Sequence, residues 1–175
     1  SEAIIIAVFI VFTIHDLNFL FEQEGQKRQE FLQRIQQKID KATIITTISH
    51  YVADEIKKYT NLNGKEIRVI YNGVERIDQQ EGKQPKFATG RPFFFTIGEI
   101  RTKKNFHLLV DVMKFLPEYD LYICGKDSFQ YADEIRTQIK EKAVGNVFVT
   151  GMIEQTEKIW LYRNCQAFLF PSRGE

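Results

Sequence analysis

The stretch FFFTIGEIRTKKNFHLLVDVMKFLP, residues 93–117, decides how the fold is read. Phe93–Ile97 is aromatic and β-branched, the composition of a buried strand, and Gly98 stops it. Arg101, Lys103 and Lys104 form a basic loop, and Asn105 opens a helix over residues 106–116, with Pro117 beyond its end. A strand, a charged loop and a helix in that order predict one unit of a parallel α/β sheet.

The unit recurs on both sides. Downstream, Asp120–Cys124 reads as a strand closed by Gly125, and residues 131–142 as a helix with Ile135 and Ile139 inward. Residues 146–150 form a strand closed by Gly151, Gln155–Asn164 a short helix with Ile159 and Trp160, and residues 167–170 a last strand before Pro171. Upstream, residues 26–41 are polar with Phe31, Leu32, Ile35 and Ile39 on one side, an amphipathic helix. Residues 42–48 (ATIITTI) are a strand, and Ser49 caps a helix running to Tyr59 with Val52, Ile56 and Tyr59 inward. Residues 66–71 are a third strand, closed by Asn72 and Gly73. The chain begins with an apolar run over residues 3–14, shorter than the ~18 residues of a membrane span and without the basic start of a signal peptide. A strand buried on both faces of a parallel sheet explains it.

Between the two series of strands and helices, residues 75–92 are polar, with Gly82, Pro85, Gly90 and Pro92 and no apolar period. This composition predicts an interdomain linker, placed at 76–91, between pieces of two domains at 1–75 and 92–175. The fold class is therefore α/β with parallel sheets, and ligands of such sheets bind beyond the carboxyl ends of the strands.

Composition limits the function. With 24 Lys+Arg against 23 Asp+Glu in 175 residues, the chain lacks the basic excess of a dedicated nucleic-acid binder. Two cysteines, Cys124 and Cys165, offer neither a disulfide framework nor a metal spacing, and point to a reducing compartment. No zinc, catalytic-triad or P-loop motif is present.

The strand-end turns supply the candidate sites. After Gly98, Arg101, Lys103 and Lys104 stand beside a helix start, whose backbone N–H groups and dipole favour an anion such as a diphosphate. The alternative is a solvated basic loop, and its place at a strand's carboxyl end favours the anion site. His15 with Asp16, after the first strand, either faces a ligand or caps local backbone. Ser172, Gly174 and Glu175 suit a polar ligand or an ordinary helix start. Gly125 and Gly151 either admit a ligand close to the backbone or serve as turn glycines. Met113, Phe115 and Leu116 read as core.

Four stretches together resemble the retaining glycosyltransferases of family 4, the GT-B group that uses nucleotide sugars. They are residues 12–21 (FTIHDLNFLF), 48–75 (from ISHYVADEIKKY to IRVIYNGVE), 93–117 with LYICGKDS after it, and 146–175 (NVFVTGMIEQTEKIWLYRNCQAFLFPSRGE). The resemblance implies Rossmann-like domains, the end of an acceptor domain and the start of a donor domain, truncated at both ends and inactive in isolation. It implies that Lys104 binds the donor diphosphate within the Gly98-to-Lys104 loop, as the first choice for stabilising the departing phosphate. Where many relatives carry Arg, this chain has Glu99, so Arg101 or Lys103 would have to substitute. Glu175 matches the first of the family's two spaced glutamates, near the donor sugar, with Ser172 just before it. His15 matches a His-Asp pair lining the crevice, and Gly151 and Met152 lie where relatives place the nucleobase. The expected activity is transfer of a hexose from a UDP- or GDP-sugar to a glycan or lipid-linked acceptor with retention, without cofactor or metal, in cell-envelope polysaccharide synthesis. No nucleic-acid partner is expected. The parent protein is expected to be cytoplasmic, peripheral to the inner face of the membrane, and the exposed apolar start favours self-association of the fragment. A nucleotide- or phosphosugar-binding module without catalysis is the alternative.

Overall fold

The computed structural model describes residues 9–74, 76 and 79–172, with Phe21 and Glu22 in backbone only. The chain divides into two compact units, Ser1–Glu75 and Arg76–Gly174.

The first unit holds a three-stranded parallel sheet in the order β1-β2-β3, formed by Val11–Ile14, Ile44–Thr47 and Ile67–Val69. A short helix α1 (Phe19–Glu22) and the long α2 (Gly25–Lys41) connect β1 to β2, and α3 (His50–Tyr59) connects β2 to β3. Ser49 caps α3 as its sequence predicts: its Oγ accepts from Val52 N at 3.2 Å. The ATIITTI stretch forms the middle strand because its residues serve both neighbours. Thr46 Oγ1 lies 2.7 Å from Thr13 Oγ1, and Thr47 Oγ1 donates to Ile14 O at 2.8 Å. Ile14, Leu17, Leu20, Ile39, Ile45, Val52 and Ile56 form the core.

Two expectations change here. The apolar start was expected as a strand buried on both faces, yet Val11 is 56% exposed and β1 lies at the sheet edge among the described residues. Ile14 at its carboxyl end is buried in the core, with Phe12 half-buried against it; residues 3–8 of that run lie outside the described residues. On α2 only Ile39 is fully buried, because the helix reaches past the small sheet. Phe31 stays 41% exposed and stacks on Phe19 with ring centroids 5.0 Å apart.

The second unit is a four-stranded parallel sheet in the order β6-β5-β4-β7: β4 is Phe93–Ile97, β5 Asp120–Cys124, β6 Val147–Gly151 and β7 Ala167–Phe168. Side chains alternate across it, as the period of a strand requires. Leu121 and Ile123 face a core with Phe106, Leu109, Val110 and Met113 of the α4 region (His107–Met113) and Tyr131, Ala132 and Ile135 of α5 (Gln130–Glu141). Tyr122 and Cys124 face the opposite core with Phe93, Phe95 and Leu161 of α6 (Gln155–Asn164). Each fully buried apolar side chain of this size contributes roughly 1.5–3 kcal/mol, which explains the use of so many phenylalanines in a small sheet.

The polar stretch expected as a linker instead packs onto this unit. Pro85 is buried, and the Phe87 ring lies 5.1 Å from that of Tyr122. Lys83 N donates to Thr156 O at 3.0 Å, and Thr89 N to the Tyr122 hydroxyl at 3.0 Å. Thr89 Oγ1 donates to Asp120 Oδ2 at 2.5 Å, and Arg91 Nη1 meets Oδ1 of the same fully buried carboxylate at 3.0 Å as an ion pair off the hydrogen-bonding line. Few apolar residues, widely spaced, give no helical or strand period, so their anchoring role leaves no periodic signal. Met113 is core as expected, whereas Phe115 in the turn after α4 is 82% exposed.

Candidate functional site

Strand order locates the site. From β4 the chain moves outward through β5 and β6, then returns to place β7 on the other side of β4. The order reverses between β4 and β7, and beyond their carboxyl ends lies the crevice in which such sheets bind ligands. The loop after β4 carries Gly98, Glu99, Arg101, Lys103 and Lys104; the loop after β7 carries Phe170, Pro171 and Ser172.

These two loops are tied together. Residues Thr102–Lys104 turn as a short 3-10 helix, and Asn105 closes it in the left-handed conformation at φ 54°, which Asn tolerates better than most residues. Asn105 Nδ2 then donates to Pro171 O at 3.1 Å, and Ser172 Oγ donates to Lys103 O at 3.4 Å. Lys104 is 9% exposed, and its Nζ stands 4.7 Å from the centre of the Phe170 ring. Its Cε passes 3.7 Å from the place a Cβ would take on Gly98. The buried cation thus lies between the two strand ends.

The neighbouring strand end is equally close. A Cβ on Gly125, whose φ is 123°, would fall 2.0 Å from Gly98 O, so only glycine lets the β4 and β5 turns touch. Gly98 N donates to Cys124 O at 3.1 Å and Gly125 N to Gly151 O at 2.7 Å, carrying the ladder up to the site. Arg101 does not point alone into solvent: Glu99 Oε2 holds its Nε at 3.0 Å, and its guanidinium lies 4.2 Å over the Phe129 ring.

The helix start is a correction. The sequence suggested free N–H groups there, but Leu108 N and Leu109 N donate to Asn105 O and Phe106 O, and His107 N donates to the Tyr131 hydroxyl at 3.1 Å. With only the seven residues of His107–Met113, α4 has its first turn consumed, and an anion near Lys104 must be met by side chains and by the loop.

The remaining candidates fall elsewhere. Gly151, at φ 74°, and the 78% exposed Met152 end β6, two strands from β4. Asp127 lies beneath Gly151 and pairs with Arg136. His15 belongs to the first unit, exposed beyond β1, while Asp16 Oδ1 accepts from Asn18 N at 2.9 Å as a turn residue. Glu175 lies outside the described residues. Two aromatic contributors, Phe170 and Phe129, were missed by sequence reasoning. Phe170 lies two residues past β7 and Phe129 directly before α5, and nothing in their neighbours distinguishes them from core. Burial raises the Cys124 thiol to about 11. Among the described residues no three His, Cys, Asp or Glu side chains cluster so as to hold a metal ion, and no helix is long and apolar enough to cross a membrane.

Comparison with known proteins agrees with this architecture. Residues 78–175 match the model for glycosyl transferases group 1, and residues 4–76 match that for glycosyltransferase family 4. The chain is 28% identical over 135 residues to O-antigen chain mannosyltransferase C of Escherichia coli, covering 74% of this chain and 34% of that protein. It is 25% identical over 169 residues to O-antigen chain mannosyltransferase RfbU of Salmonella typhimurium strain LT2, covering 93% and 45%. The chain therefore spans less than half the length of these relatives. Among solved structures, sucrose-phosphate synthase from Thermosynechococcus elongatus superposes with a TM-score of 0.74 at 17% identity, over 93% of this chain and 44% of that one. Anabaena Alr3699/HepE in complex with UDP and glucose gives 0.73 at 16% identity, over 94% and 46%. The fold is that of the GT-B glycosyltransferases, and the chain belongs to the glycosyl transferases group 1 family.

Proposed function

We propose that the second unit binds the diphosphate of a nucleotide sugar at Lys104, and that the protein transfers a hexose from that donor to a glycan or lipid-linked acceptor with retention. The observation that carries this reading is the buried Lys104 ammonium between the ends of β4 and β7, at the reversal of strand order. A lysine held there supplies a fixed positive charge where the leaving diphosphate accumulates negative charge, and fixed charge in a partly dehydrated site stabilises a transition state without reorganising. Lys103 and Arg101 supply further cations on the same loop, and the Ser172 hydroxyl lies on the facing one. The family resemblance supports a nucleobase role for Gly151 and Met152, a donor-sugar role for Glu175 and a crevice role near donor sugar and acceptor for His15. The curated relatives are O-antigen mannosyltransferases, which supports mannose as the hexose and cell-envelope polysaccharide as the product, with a UDP- or GDP-sugar as the donor.

Calorimetric titration with UDP- and GDP-sugars tests the site. Lys104→Ala is expected to weaken binding by about 10- to 100-fold, the worth of one charge-assisted hydrogen bond of ~1.5–3 kcal/mol. Unchanged affinity would place the diphosphate elsewhere.

One observation favours a second reading, a binding module without transfer. Glu99 occupies Arg101, which removes one phosphate cation from the loop. Release of nucleoside diphosphate, slow with donor alone and faster with acceptor, separates the two readings; no release under any donor–acceptor pair supports the module.

A further inference from the structure

We infer that Phe170 is a positioning residue for Lys104: its ring fixes the ammonium in the crevice, so that the affinity for a diphosphate depends on an aromatic side chain that need not touch it. The inference rests on the diphosphate reading of Lys104 given above.

A lysine side chain has several rotatable bonds and loses much of their freedom when one position is required. Here the stem passes Gly98, its Cε 3.7 Å from the place a Cβ would take, and the Nζ stands 4.7 Å from the Phe170 centroid, within the range of a cation–π contact. The ring is itself fixed. Phe170 stacks on Phe168 with centroids 5.7 Å apart and planes 21° from parallel, and Phe168 packs against the fully buried Phe95 at 5.2 Å. A row of three rings therefore runs from the sheet core to the ammonium. The backbone on either side of the pair is tied as well, by Asn105 Nδ2 to Pro171 O and by Ser172 Oγ to Lys103 O. The two loops that carry lysine and ring are thus tied to each other on either side of the pair.

The π face attracts a cation without neutralising its charge. A carboxylate in the same place would compete with phosphate for the lysine, as Glu99 competes for Arg101. An aromatic ring orients the ammonium without taking up its charge. Both Lys104 and Arg101 stand over a ring, Phe170 and Phe129 respectively, and Arg101 also pairs with Glu99.

The test is a double-mutant cycle read by calorimetry with UDP and GDP as the probes. Phe170→Leu keeps an apolar side chain and removes the π face; it is expected to weaken binding roughly three- to tenfold. Phe170→Tyr keeps the face and is expected to stay within about twofold of the parent affinity. In a Lys104→Ala background, Phe170→Leu is expected to have no further effect, because the ring acts only through the lysine. A Phe170→Leu loss of equal size in both backgrounds, or no loss while Lys104→Ala weakens binding, overturns the inference. If Lys104→Ala leaves affinity unchanged, the diphosphate reading fails first and this inference with it, so the two failures are distinguishable. Thermal unfolding of each variant checks folding, and Phe170→Met carries the same expectations should the leucine variant not fold.

Discussion

Glu99 and Arg101 form an ion pair across one turn, Oε2 to Nε at 3.0 Å, at the rim of the crevice that Lys104 enters. Both side chains are about half exposed, so solvent screens the pair and its energy is small, on the order of 0.2–1 kcal/mol. The consequence lies in charge: the loop presents less positive potential than its three cations suggest.

Glu99→Gln is therefore expected to tighten UDP and GDP binding by roughly two- to fivefold, the fold-change equivalent of that pair energy. The gain should shrink at high salt, since exposed charges are screened over a Debye length of about 10 Å at 0.1 M. Titrations at low and high ionic strength check both statements. Weaker binding in the variant would mean that the carboxylate itself contacts the donor.

Gly125→Ala is expected to destabilise the second unit by more than about 2 kcal/mol, because the added methyl meets Gly98 O and the φ of 123° is hostile to a side chain. Thermal denaturation reads the loss. Gly145→Ala is the control: a methyl there meets nothing within 4 Å, and φ is ordinary.

Asp120→Ala is expected to cost about 1–3 kcal/mol, since it leaves Thr89 and Arg91 without the carboxylate that anchors them. The strap over residues 79–92 should then open. Limited trypsin digestion checks this: cleavage after Lys83 or Lys86 should become faster in the variant, and an unchanged digestion pattern would show that Pro85 and Phe87 hold the strap by packing alone.

The two thiols should differ in reactivity. Thiolate is the reactive form, and burial raises the Cys124 value from 9.0 to about 11. Cys165 is raised by burial too, but remains partly accessible. An aromatic disulfide reagent at pH 8 is expected to label Cys165 well before Cys124; equal rates would contradict the burial. The same shift links stability to pH. A thiol whose folded value lies above its unfolded one contributes stability in full below about pH 9, and the contribution is lost as pH climbs from there toward about 11. Alkaline unfolding of Cys124→Ser against the parent measures it.

Strand and helix order was legible throughout the second unit because apolar runs, glycine stops and helical spacing agree locally. Phe93–Ile97, Asp120–Cys124 and Gln155–Asn164 need no tertiary information to be recognised. Residues 106–116 were legible as a helix but not in extent: it ends at Met113, where Phe115 N and Leu116 N turn back to Val112 O and Met113 O and the Asn146 amide, remote in sequence, donates to Met113 O and Leu116 O. The strap was misread as a linker because Pro85, Phe87 and Thr89 each anchor it singly, and single anchors have no period.

The sequence by itself determined the alternation of elements, the presence of two units' worth of strands, and a basic loop after Gly98. Those depend on contacts between residues close in the chain. Tertiary structure alone decided which cation is enclosed, which is paired, and what faces each. Lys104, Asn105, Phe170 and Pro171 lie on loops separated by three strands and three helices, and they meet only because β7 returns to pair with β4. Proximity across a reversed strand order is a property of the sheet, and no local pattern in either loop encodes it.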